Sequence, residues 1–91
     1  MLTKAEIAEK LRALDTECTE INAQRDALIR RVADLSTQMG RVRRRRSCRG
    51  QWMSLRDERK LCEAELRVLE ARYRLARLRA MSLARKVDSA P

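Results

Sequence analysis

The chain has 91 residues, a net charge of +9, two aromatic side chains, no Phe and no His, and only two Gly and one Pro. That length holds one domain at most, and the shortage of β-formers and turn residues excludes a strand-rich fold. No apolar run approaches the roughly 18 residues that a membrane-spanning helix needs, and no basic-then-apolar leader opens the sequence, so the expected location is cytoplasmic.

The start carries helix-initiation chemistry. Thr3 is a good N-cap, Glu6 three residues later completes a capping box, and Leu2 and Ile7 occupy the two staple positions around it. Core-type positions then recur in strict heptad steps: Ile7, Leu11, Leu14, Cys18, Ile21, Arg25, Leu28, Val32, Leu35 and Met39. Chance rarely sustains that pattern, which predicts helix one over about 3–39. Gly40 then stands where a C-cap glycine belongs.

The stretch GRVRRRRSCRG, residues 40–50, holds six arginines and no acid, and so supplies six of the nine net positive charges. Its two glycines and its like charges predict a tip loop. From Trp52 the heptad rhythm resumes through Leu55, Arg59, Cys62, Leu66, Leu69, Tyr73, Ala76, Ala80, Leu83 and Val87. Asp57 and Glu58 suit the early turns of a helix, and Ser89–Pro91 reads as a frayed end. Helix two is expected over about 51–88.

Three features favour a hairpin over one continuous rod. The seam of helix one, extended past Val42, would require Met53 where helix two uses Trp52. The glycines and the arginine run disfavour a helix across 40–50. Residues 6–20 carry five acids and two bases, while residues 71–85 carry five arginines and no acid, and folding back sets these segments side by side. The expected fold is all-α: a single domain, 1–91, forming an antiparallel two-helix coiled-coil hairpin.

Helix two has a second apolar stripe. Leu61, Ala64, Val68, Ala71, Leu75 and Leu78 step 3-4-3-4-3 on a line roughly 160° from the seam. One partner helix covers one side only, and the core of a lone hairpin barely offsets the chain entropy. Both facts predict association through helix two, as a homodimer that forms a four-helix bundle or with another protein's helices.

Single residues separate into structural and functional candidates. Arg25 and Arg59 interrupt the seams; their stems are expected along the seam with the heads reaching Asp or Glu, and they also set register. Cys18 and Cys62 read as small core hydrophobes on non-opposed positions. Cys48 lies among arginines and reads as an exposed bystander, with no His or second Cys near it; a reactive thiol is the alternative. Trp52 closes the end of the core and also borders the basic tip. Arg41, Arg43, Arg44, Arg45, Arg46 and Arg49 form a patch suited to bidentate contacts with carboxylate or phosphate.

No His, nucleophile motif, P-loop or Gly-rich turn is present, so no catalytic residue, cofactor or metal is expected. The expected function is a non-enzymatic interaction protein: an adaptor, assembly factor or inhibitor. It would associate through helix two and engage an acidic protein surface through the arginine tip. The alternative is a nucleic-acid binder gripping phosphates without reading sequence. Membrane insertion by the tip is disfavoured, because Val42 is the loop's only larger apolar residue. In layout alone the chain is similar to small hairpins that dimerise into four-helix bundles, and to coiled-coil stalk and adaptor proteins of bacterial secretion systems and phages. That likeness carries over no site residue.

Overall fold

Two helices account for nearly the whole chain: α1, Lys4–Arg43, and α2, Arg49–Val87. The computed structural model describes residues 1–45 and 48–91. The helices lie antiparallel in a rod 69 Å long and 14 by 12 Å across, so the expected helical hairpin is the observed fold.

The capping box at the start of α1 is complete. Glu6 N–H donates to Thr3 Oγ1 at 3.2 Å, and Thr3 N–H donates back to Glu6 Oε1 at 3.4 Å. Every heptad position of both seams is buried or half-buried. Ile7, Ile21 and Leu35 are fully enclosed at two-heptad intervals, and Cys62, Leu69 and Ala76 are buried at one-heptad intervals on α2. The core is therefore a single line of side chains, because two helices have only one shared face. Among the described residues, no helix is long and apolar enough to cross a membrane.

The boundaries at the tip differ from expectation. α1 runs four residues past Met39 to Arg43, with Gly40 inside the helix and the C-cap at Arg44 in a right-handed conformation. Val42 explains the extension. It continues the heptad step from Met39 and is buried like it, while Arg41 and Arg43 sit in the last turn, where the helix dipole favours cations. α2 begins at Arg49, so Gly50 is helical too and Asp57 and Glu58 fall beyond the first turn, which holds no acid. The expected 40–50 loop thus shrinks to the short stretch between the helices. Arg45 N–H donates to the Val42 carbonyl at 2.9 Å in tightening it.

Two other expectations are corrected. The end at Ser89–Pro91 folds over the start of α1: the Pro91 carbonyl accepts from Lys4 N–H at 3.0 Å, and Ala90 is half-buried. The acidic segment 6–20 and the basic segment 71–85 do lie side by side, with Asp15 and Arg77 bordering one groove. Yet among the described residues no ion pair joins them. Among the described residues, the ion pair that crosses between helices is Arg31–Glu58, at 2.5 Å. The segment charges match over distance, as exposed side chains that stay hydrated do.

Gly40 tests the boundary. It lies inside α1 without a positive φ, and a Cβ there would meet nothing within 4 Å. Gly40→Ala is expected to stabilise the chain by about 0.5–1 kcal/mol, by removing unfolded-state entropy. Denaturant unfolding measures it, and a destabilised variant would place Gly40 at a cap instead.

Candidate functional site

α2 is apolar on two sides, and α1 covers one of them. The six residues of the second stripe all stay exposed, with Leu61, Val68, Leu75 and Leu78 at 66%, 59%, 48% and 62%. They form one continuous line because 3-4 spacing keeps successive residues on one helix face. Scattered single leucines are ordinary on protein surfaces, whereas a contiguous apolar line this long is not. The upper half of the line opens into a groove shared with α1: Leu61, Ala64 and Val68 border it with Ala27 and Leu28.

Sequence reasoning missed part of this face. Met53 and Met81 are also exposed. They occupy the heptad position just before Leu61-type positions, in the same frame as Lys60, Arg67 and Arg74. Assigning all seven positions of that frame would have found them. The contribution of α1 through Ala27 and Leu28 is visible only once the helices are packed.

The arginine pole lies at the opposite end of the rod from the chain termini. Arg41, Arg43, Arg44, Arg45 and Arg49 are all exposed; Arg46 lies outside the described residues. Arg43, Arg45 and Arg49 are brought together around an open groove bordered also by Val42, Cys48 and Trp52. Arg41 and Arg44 do not border it. None of the five described arginines forms an ion pair among the described residues. Their charge therefore remains available to an outside anion.

Trp52 is half-buried and closes the core end beneath the pole. Arg56, one turn on, lies with its guanidinium 5.5 Å from the Trp52 ring centroid, a cation–π contact that fixes the indole plane. The four-residue spacing Trp52–Arg56 is the signal that sequence reasoning overlooked. Cys48 is half-buried and serves as the N-cap of α2 through its backbone, with no side-chain cap bond. Cys18 and Cys62 are free thiols on the seam.

The seam arginines behave differently from each other. Arg59 donates to Ser36 Oγ across the seam at 3.3 Å and lies 3.6 Å from Glu63, close to the expected snorkelling. Arg25 reaches no carboxylate. It donates to Asn22 Oδ1 at 3.2 Å and stacks 5.4 Å from the Tyr73 ring centroid on α2. The Nε atoms of Arg25, Arg56 and Arg59 are buried without a hydrogen-bond partner. Arg31 pairs outside the seam, and its hydrogen bond to Glu58 raises its already high pKa, with Coulomb attraction from Glu58 next in size. It stays charged throughout the neutral range.

Comparison with protein-family models, with curated proteins and with solved structures finds no match to this chain. The functional argument therefore rests on the apolar face, the arginine pole and the seam.

Arg25→Met is expected to raise stability by about 1 kcal/mol, because it keeps the stem's packing and removes a buried, unsatisfied Nε. Thermal unfolding reads this directly. A lower midpoint would mean that the Tyr73 contact outweighs the desolvation.

Proposed function

We propose that this chain is a cytoplasmic, non-enzymatic interaction protein that acts by occupancy. It associates through the outer face of α2, with itself or with a helix of another protein. It presents the arginine pole to an acidic protein surface, as an adaptor, assembly factor or inhibitor does. The observation that carries the reading is the contiguous exposure of Leu61, Ala64, Val68, Ala71, Leu75 and Leu78 on a helix whose other side is already packed. The thin core supports it: a single seam supplies little burial against the ordering of two long helices. The pole supports it too, since Arg41, Arg43, Arg44, Arg45 and Arg49 form no ion pair among the described residues and so add repulsion without folding energy.

Two substitutions at the centre of the face test the first half. Val68→Glu with Leu75→Glu places charge where burial is proposed, at two positions that are exposed in the single hairpin. Light scattering should show the assembly reduced to single chains, with unfolding shifted to lower temperature and helicity kept in the cold. An unchanged mass and midpoint would remove the outer face of α2 from the reading.

The second reading, phosphate binding, draws on Arg43, Arg45 and Arg49 around Trp52, since an aromatic ring among arginines can stack on a base. Fluorescence anisotropy with labelled duplex DNA and single-stranded RNA separates the two. Binding is expected at low salt and to be lost by about 0.15 M, as generic counterion release requires. Binding that persists at that salt, and disappears when the tip arginines are changed to Ser, would make nucleic acid the target.

A further inference from the structure

The outer stripe of α2 is its own mirror in spacing. Leu61, Ala64, Val68, Ala71, Leu75 and Leu78 read 3-4-3-4-3 from either end. A two-fold axis passing between Leu69 and Glu70 maps the stripe onto itself in an antiparallel pair. We infer that the occupant of this face is a second copy of the chain, its α2 running antiparallel to the first across that axis. This rests on the proposed role of the α2 face and adds the occupant, its direction and its register.

Packing and charge support the same direction independently. In the antiparallel register Leu61 faces Leu78 of the second copy, Ala64 faces Leu75 and Val68 faces Ala71. Large residues meet small ones through the centre, so the interhelical gap stays even. A parallel pair would stack Ala64 on Ala64 and Ala71 on Ala71 beside Leu75 on Leu75. That leaves voids next to wide layers, which cores avoid.

The flanking charges discriminate further. On the side of the stripe nearer α1, the flank reads Glu58, Glu65, Arg72, Arg79. An antiparallel pair sets Glu65 beside Arg72 of the second copy, and Glu58 beside Arg79, each twice by symmetry. Neither Glu65 nor Arg72 takes part in an ion pair among the described residues, so both are available; Glu58 already contacts Arg31 of its own chain. On the other flank Arg67 meets Arg74, with Glu70 lying between them in sequence at helical contact spacing from both. A parallel pair would set Arg67 beside Arg72 and Arg74 beside Arg79, each twice, against one favourable contact type, Lys60 with Glu65. Opposite charges thus dominate in one direction and like charges in the other.

The axis falls near the middle of the rod. The two hairpins therefore overlap along nearly their whole length, and each arginine pole lies beside the termini of the other copy. The poles stand about 70 Å apart at 1.5 Å per residue. Such a dimer is a bivalent rod with one basic pole at each end.

Sedimentation equilibrium on four full-length chains tests this: the natural sequence, Glu65→Arg, Arg72→Glu, and the double variant. The natural chain is expected to dimerise. Each single exchange is expected to weaken the dimer roughly tenfold, since it turns two attractive contacts into repulsive ones. The double exchange is expected to recover most of the affinity, which loss of fold in a single variant could not produce. Tighter dimers with Arg72→Glu would mean a parallel pair, overturning the direction while leaving self-association through α2 standing. A natural chain that stays monomeric would overturn the second copy as occupant and leave docking to another protein's helix as the form of the functional proposal. Single exchanges without effect, or a double exchange without recovery, would overturn the register.

Discussion

The constraint on which everything else depends is that α2 is apolar on two sides and has only α1 to cover one of them. A helix gains most of its stability in proteins from burial of its apolar face, and little from intrinsic propensity. α1 has an ordinary single seam, with Glu9, Thr16, Glu20, Arg30 and Asp34 around its outer face. α2 instead places Leu61, Val68, Leu75 and Leu78 in water. The asymmetry leaves α2, and not α1, with an uncovered apolar stripe.

The seam itself is built for specificity as much as for strength. Arg25 and Arg59 hold core positions, leave a buried Nε unsatisfied, and reach across to Tyr73 and Ser36. These contacts form only in one register of α1 against α2. A sliding hairpin would place them against apolar neighbours at far greater desolvation cost. Polar core residues trade stability for uniqueness in this way in other coiled coils.

Much of this was legible in the sequence. Heptad spacing located the seam positions of both helices except Val42, since a 3.5-residue period depends only on which residues repel water. The capping box was equally plain, because Thr3 and Glu6 are local partners. The tip was harder. Gly40 and Gly50 read as loop signals, yet Val42 buries as the next seam residue and both glycines become helical. Tertiary burial outweighed a local penalty of about 1 kcal/mol per glycine. Contact-level charge pairing was not legible either: segments 6–20 and 71–85 lie alongside each other, but the cross-helix ion pair is made by Arg31 and Glu58, which no segment count singles out. Grooves that draw on both helices, such as the one adding Ala27 and Leu28 to the stripe, exist only after packing.

The central claim is that a second copy of the chain covers the outer face of α2 in solution. Multi-angle light scattering of the natural chain, from low to high micromolar concentration at physiological salt, tests it most directly. The account predicts a mass twice the 10.6 kDa of one chain, falling only at the lowest concentrations. A fully helical, stably folded monomer of 10.6 kDa across that range would contradict it.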